Sequence, residues 1–305
     1  MSHRLIARFG SRGIVAVRGP DARMLLDRLI TNDMDLLASP AAALHAALLT
    51  PQGKILAAFF VVQVDDGFLL VLEAGEASEL IRRLSLYKLR AAVTLDDWTS
   101  NFTAFAIWSG PHLEAVALQD RVIFPDPRNT ALGMIALVAA DKANADGHAA
   151  IDPSGVLVDP SAYDDNRIAL GIGAAVRDYA LGDTFPHEAN FDLTGSADFK
   201  KGCFVGQEVV SRMQHKTVVR KRITPVATAD GVLVEGDELR VGEAVIGTLG
   251  SISTDGRQAL AKVRLDRALE AVERGIALTT TGMVTVSVEP QMLALYRAQV
   301  IAKSA

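Results

Sequence analysis

The chain has a single cysteine, Cys203, within Lys201-Gly202-Cys203-Phe204-Val205-Gly206-Gln207-Glu208 and directly behind a second lysine, Lys200. The thiolate, not the thiol, attacks electrophiles and binds metals, and both nearby cations and the positive end of a helix favour it. Both are at hand here: two lysines precede the sulfur, and Gln207-Glu208-Val209-Val210-Ser211-Arg212-Met213 follows with helical character. The setting is that of a reactive sulfur. A second reading stands beside it, because free cysteine is also among the most often buried residues and then serves as a small apolar filler. One thiol cannot hold an iron–sulfur cluster, which takes four protein ligands. His187 and His215 are near in sequence, but no Cys-x-x-Cys or His-x-x-x-His spacing occurs, so no intrinsic metal site is expected. A thiolate of this kind can exchange with a persulfide, form a mixed disulfide with a partner, or lend one ligand to a shared cluster. The sequence leaves the three open.

The elements that must position this segment can be read from periodicity. Ile14–Val17 reads as a strand, and Met24, Leu25, Leu26, Leu29 and Ile30 recur at helical spacing behind Pro20-Asp21. A hairpin follows, Ala57–Val64 and Phe68–Leu72 around Asp65-Asp66-Gly67. Glu76–Arg90 reads as an amphipathic helix with Leu80, Ile81, Leu84 and Tyr87 on one face. Strands are expected at Ala91–Leu95, Phe102–Trp108, Val116–Phe124 and Gly133–Ala139, and loops at Pro125–Arg128 and Ala140–Ala150. Tyr163–Gly171 begins another helical stretch. Gly171-Ile172-Gly173 lacks the third glycine of a dinucleotide loop and reads as a helix end. After Lys221 short strands separated by glycines continue to about Val288, as in a small β-barrel, and Met292–Arg297 suits a short tail helix. The expected fold class is α+β, with a boundary near 220: residues 1–220 form two interwoven α+β subdomains, and 221–305 the barrel and tail.

The cysteine segment resembles the signature of the YgfZ-type folate-binding family, the iron–sulfur branch of the aminomethyltransferase (glycine-cleavage T-protein) superfamily. That motif runs Lys-Gly-Cys, an aromatic, any residue, Gly-Gln-Glu, and Lys201, Gly202, Cys203, Phe204, Gly206, Gln207 and Glu208 fill every fixed place. Thr31-Asn32-Asp33, Leu49-Thr50-Pro51-Gln52-Gly53-Lys54, Tyr87-Lys88-Leu89-Arg90 and Phe185-Pro186-His187-Glu188-Ala189-Asn190 resemble further landmarks of the family in the same order. Gly247–Ser251 and Ala259–Arg264 do so near the end, so the likeness runs from about Gly13 to Val288. It implies an aminomethyltransferase-like fold around a central folate pocket, and a tetrahydrofolate-binding factor for assembly or repair of iron–sulfur proteins, tRNA-modifying enzymes among them. Its partners would be folate and iron–sulfur client or assembly proteins. Glu188 is the implied pterin ligand, since one carboxylate accepts two adjacent N–H bonds. Asn32 and Gln52 are candidates to line the same cavity, and Arg212, Lys216, Arg220 and Arg222 to meet folate's anionic tail. A second function, folate-dependent aminomethyl or methyl transfer, would need an acid in place of the enzymes' catalytic aspartate. The corresponding stretch Glu73–Ser78 has none, leaving Glu76 or Glu79. A third is thiol redox regulation with folate incidental.

Composition sets the outer bounds. With 305 residues, 50% of them apolar, the chain can bury a large core. A net charge of −5 with mixed signs argues against a nucleic-acid surface. No apolar run approaches the roughly 20 residues that span a bilayer. The opening residues Met1–Arg8 are too short in their apolar part for a secretory signal. A lone cysteine with no internal disulfide suggests a reducing cytoplasm. The expectation is a cytoplasmic protein with no direct nucleic-acid or membrane partner.

Overall fold

Apolar residues fill consecutive positions of several early strands, a pattern that arises when both faces of a sheet are buried. The computed structural model describes residues 3–304 other than 11, 74, 112, 144–147, 149 and 150. Most of the loop expected at Ala140–Ala150 therefore lies outside the described residues. The chain falls into two compact units, Met1–Tyr163 with Asp192–Gln207, and Asp164–Phe191 with Glu208–Ala305. The units are interleaved in sequence rather than separated by one cut near 220.

The first unit holds eleven described strands: β1 (Leu5–Arg8), β2 (Ile14–Arg18), β3 (Ala43–Leu49), β4 (Ile55–Val64), β5 (Gly67–Leu72), β6 (Thr94–Asp97), β7 (Phe102–Trp108), β8 (Val116–Ala117), β9 (Arg121–Pro125), β10 (Met134–Ala139) and β11 (Val156–Val158). Helices α1 (Ala22–Asp27) and α2 (Ala77–Lys88) accompany them. One sheet has the order β3-β4-β5-β2-β6, and the other β11-β1-β7-β10-β9-β8. Neighbours are antiparallel except β1 and β11. Side chains alternate across a strand. Ile14, Phe60, Val62, Leu69 and Val71 therefore share one core with Phe124, Ile135 and Leu137 of the other sheet. Val15, Val17, Phe59, Val61 and Leu70 face the other way, onto Leu25 and Leu26 of α1 and Leu80 and Leu84 of α2.

The β4–β5 hairpin and α2 fall where the periodicity places them. Other expectations shift. The strand expected at Ala91–Leu95 is Thr94–Asp97, and Val116–Phe124 is broken into a hairpin at 118–121. Of the apolar residues read at helical spacing in this stretch, Met24 is exposed while Leu25, Leu26, Leu29 and Ile30 are buried. At about 100° per residue, three consecutive helix positions cannot all face one core, and Met24 is the one turned outward.

The loop at Pro125–Arg128 carries a charge into the core. Arg128 pairs with Glu73 and, at 2.7 Å, with Asp126 Oδ2, all three side chains almost fully buried. Its guanidinium lies 4.7 Å from the centroid of Phe60. Burial alone pushes the Glu73 carboxyl up, but the charge of Arg128 and contact with His45 outweigh it and hold Glu73 well below the ordinary carboxylate range.

The second unit begins within α3 (Pro160–Ala169), which ends at Gly171, whose φ of +72° turns the chain while its N–H donates to Ile168 O. No phosphate-binding loop forms there. Arg167 of α3 donates to Asp178 Oδ2 (2.7 Å) and Ser251 Oγ (2.6 Å), tying α3 to the barrel. After α4 (Gln207–Lys216) come β12 (Lys221–Ala227), β13 (Glu238–Val241), β14 (Ala244–Ile252), β15 (Gln258–Arg264), β16 (Leu278–Thr280) and β17 (Thr285–Val288). They close into a barrel in the order β12-β15-β14-β13-β16-β17. Helix α5 (Leu265–Glu273), absent from the sequence expectation, follows β15 and buries Leu265 and Ala268 in the barrel core. Helix α6 (Pro290–Ser304) is longer than the expected tail helix and adds Leu293 to that core. Lys303 donates to the carbonyls of Met213, Gln214 and Thr217 and so closes the C-terminal end of α4.

Glu73 gives the first unit an acid-sensitive term. A carboxyl depressed in the folded state stabilises above its unfolded value of roughly 4.3 and loses that contribution as pH falls toward the folded one. The urea midpoint should drop below about pH 4.5, and Glu73→Gln should flatten that drop. A Glu73→Gln profile as steep as wild type would contradict the assignment. Arg128→Ala, which strands two buried carboxylates, should cost about 3–5 kcal/mol in the same assay.

Candidate functional site

The cysteine segment ends a run, 170–206, without helix or strand, so its shape must come from side-chain anchors. Lys201 supplies the first. Its side chain is buried, and its ammonium donates to the carbonyls of Asp27 (2.6 Å), Asn32 (2.7 Å) and Ile30 (3.2 Å), with the Asp27 carboxylate at 3.0 Å. Helix ends leave their last carbonyls without intrahelical partners, and a cation there also meets the negative end of the helix. Lys201 therefore closes the end of α1. The sequence expectation that it serves the sulfur as a neighbouring free charge is corrected: the ammonium is committed to these oxygens. Lys200 is exposed.

Phe204 and Gly206 supply the second anchor. Phe204 is buried, with the Lys201 ammonium 5.5 Å from its ring centroid, and Val205 packs against the core under α1 and α2. Gly206 has φ +81°, and a Cβ there would lie 2.6 Å from Thr50 O and 3.1 Å from Gly53 Cα. Only glycine permits that approach to the Thr50-Pro51-Gln52-Gly53 turn, which Gly53 N closes on Thr50 O at 2.9 Å. Between the two anchors Gly202 and Cys203 are exposed. The buried-filler reading of the cysteine is thereby excluded. Gln207 opens α4, its N–H donating to Phe204 O at 3.1 Å, and Glu208 is exposed in the first turn.

The Thr31-Asn32-Asp33 landmark joins the same platform. Thr31 Oγ1 donates to Ser196 O (2.7 Å) and accepts from Ala47 N, and Thr31 O accepts from Asp198 N. Asn32 is buried, and its amide donates to His45 O (2.9 Å) and Gly195 O (2.8 Å) while its Oδ1 accepts from Asp33 N. Both amide hydrogens are used, so Asn32 stitches β3 to the 194–198 segment rather than offering donors to a ligand. Behind it Ser196 Oγ lies 2.7 Å from His45 Nδ1, and His45 Nε2 lies 3.6 Å from Glu73. Ser196 and His45 were not singled out by sequence, and no spacing rule would have found them. Gln52 is exposed at the hairpin tip.

The remaining folate candidates lie in the second unit. Glu188 Oε2 accepts from Phe185 N (3.1 Å) and lies 3.4 Å from Lys262 Nζ. It lines a cleft of about 580 Å³ with Phe185, Lys216, Arg220, Lys221 and Arg264. Arg222 is corrected: it is buried, not at a cleft mouth, and donates to His187 O (2.7 Å) and Asn190 Oδ1 (3.1 Å). The strand alternation of β12 turns Arg222 inward while Lys221 stays out. Its work is to hold the segment that carries Glu188. Arg212 is exposed on α4.

The proposed substitutes for a catalytic aspartate are occupied. Glu79 is exposed on α2, and hydrogen bonds from Arg82 (2.8 and 2.9 Å), with Arg83 beside it, hold its carboxyl down to about 2. Glu76 accepts from Ser78 Oγ at 3.3 Å at the start of the same helix. Among the described residues no group of three or more His, Cys, Asp or Glu side chains is arranged to hold a metal ion. No described helix is long and apolar enough to cross a membrane.

Comparisons with known proteins agree with this architecture. Residues 10–137 match the GCVT N-terminal domain, and residues 220–293 the CAF17 C-terminal beta-barrel domain. The human mitochondrial iron–sulfur cluster assembly factor IBA57 is 32% identical over 248 residues, covering 75% of this chain and 68% of that protein. The chain belongs to the YgfZ/IBA57-type family. IBA57 homologues of Pyricularia oryzae and Mycosarcoma maydis are 32% and 30% identical over 72% and 73% of this chain. The chain spans only 56% and 57% of the length of those two fungal relatives. The aminomethyltransferase T of the Bartonella henselae glycine cleavage system shares the fold, with a TM-score of 0.76 at 19% identity over 94% of this chain and 85% of that one. The cytoplasmic expectation is overturned by these names: the IBA57 relatives are mitochondrial, which points to the mitochondrion.

The two anchors make separable predictions. Lys201→Met should destabilise the protein by about 2–3 kcal/mol, from lost charge-assisted bonds to α1. Gly206→Ala should cost about 1–3 kcal/mol through strain at positive φ. Urea melts of both variants test this, and wild-type midpoints would refute it.

Proposed function

We propose that this protein is an accessory factor for assembling or repairing iron–sulfur proteins, that it binds tetrahydrofolate or a derivative, and that it acts through the Cys203 thiol. Membership of the YgfZ/IBA57-type family and the assembly role named for its relatives support the first part. The observation that carries the thiol's role is its setting: the signature anchors itself on either side of Cys203 and leaves that residue exposed. A sulfur so presented can meet a partner protein, by attacking the partner's persulfide or disulfide and releasing a thiolate from the broken S–S bond, or as one ligand of a cluster whose other ligands the partner supplies. Client enzymes, including tRNA-modifying ones, belong to the same proposal.

The residues present suit folate in chemistry and size. Glu188 offers a carboxylate acceptor for the pterin edge, in a cleft of about 580 Å³ with Lys216 and Arg220 available to the anionic tail. Arg222 keeps the Glu188 segment in place. The commitment of Glu79 to arginines favours binding over one-carbon transfer.

In a strain lacking the gene, Cys203→Ala should fail to restore iron–sulfur client activity while remaining folded; full rescue would defeat the proposal. Glu188→Gln should weaken tetrahydrofolate binding in calorimetry by about tenfold or more, from loss of a charge-assisted bond. Unchanged affinity would remove Glu188 from the site.

A further inference from the structure

The Tyr87-Lys88-Leu89-Arg90 landmark takes no part in the site described above, yet it holds an unusual residue. α2 ends at Leu89, which has φ +46° and ψ −109°. Glycine is the usual residue where a helix ends at positive φ, because any Cβ is strained there. Such strain is kept where the residue's side chain is needed. Inside the protein Leu89 has no such use: it is 87% exposed. Leu86, three positions earlier, is 67% exposed, and Tyr87 is 37% exposed. The buried face of α2 is made by Ala77, Leu80 and Leu84, so the helix is already fixed without these residues. Charge is concentrated here as well. In residues 79–90, Arg82 and Arg83 both pair with Glu79, and Lys88 and Arg90 follow at the helix end, in a chain whose net charge is −5.

We infer that Leu86, Tyr87 and Leu89, with Lys88 and Arg90 beside them, form a docking surface for a partner protein that presents an apolar pocket rimmed by carboxylates. The apolar side chains fill the pocket, and the cations meet the rim and set orientation. A strained, fixed backbone matches a pocket of fixed shape; a fluid bilayer gains nothing from it, which favours protein over lipid. The inference rests on the proposed function, since the partner is a client or assembly protein of that pathway, and it gives that function a surface distinct from Cys203.

The test uses the full chain in the deletion strain, with Cys203→Ala run beside the new variants. Leu89→Gly should keep or raise the melting temperature, by about 2–4 °C, because it relieves strain. It should nevertheless lower rescued client activity by roughly tenfold. The double variant Lys88→Glu with Arg90→Glu should lose rescue too, while Leu89→Met retains it. Full rescue by Leu89→Gly, with Cys203→Ala inactive, overturns the docking surface and leaves the proposed function standing. Rescue by Cys203→Ala instead defeats the function itself. Flotation with vesicles of phosphatidylcholine and phosphatidylglycerol supplies the remaining arm. Binding by wild type that Leu89→Gly abolishes would overturn the protein partner in favour of lipid.

Discussion

A buried ammonium governs the region around the exposed Cys203. An unpaired charge in a protein interior is prohibitively costly, so a lysine is buried only where oxygens already await it. The end of α1 provides them. With six residues, α1 is too short to be stable alone, and its terminal carbonyls need partners from elsewhere. Lys201, 174 residues beyond Asp27, meets that need at the Asp27 carbonyl and also takes the carbonyls of Ile30 and Asn32 in the segment that leaves the helix. The two requirements satisfy each other, and their joint solution fixes where the chain must be at residue 201. Phe204, Val205 and Gly206 then return it to the core and to the β3–β4 turn. Gly202 and Cys203 lie on the exposed step between.

The motif is thus chiefly architectural. Its lysine, aromatic and glycine hold a loop that has no regular hydrogen-bond ladder, and its cysteine is the residue that loop displays. The Thr31-Asn32 pair works toward the same end, tying β3 to the segment immediately before the signature. Behind the platform the polar contacts continue through Ser196 and His45 to Glu73 and Arg128, so the exposed loop stands on a charged core rather than a purely apolar one. Such a network is intolerant of partial loss, because each member leaves a buried partner unsatisfied.

Much of this was legible in the residue pattern. The β4–β5 hairpin, α2, β7 and the barrel follow from apolar periodicity and turn residues, and the cysteine segment was singled out by composition. Other features were hidden for physical reasons. In α5, Leu265, Ala268 and Ala271 keep helical spacing, but alanines among charges give a weak apolar signal beside strong strands. Lys201 reads as a free cation because sequence cannot show that its partners are carbonyls at the end of a distant helix. Arg222 looks like a surface charge in a basic stretch, and only the inward turn of β12 reveals that it is buried. The Pro-Asp-Pro-Arg run reads as a loop, and nothing in its residue types shows that Asp126 and Arg128 are almost wholly enclosed with Glu73.

The central claim is that the anchored signature presents Cys203 to solvent in the folded protein. Alkylation of Cys203 by iodoacetamide as a function of urea tests it directly. The account predicts a rate that is substantial in the absence of urea and nearly flat below the unfolding midpoint. A rate that is negligible in water and rises only in step with global unfolding would contradict it.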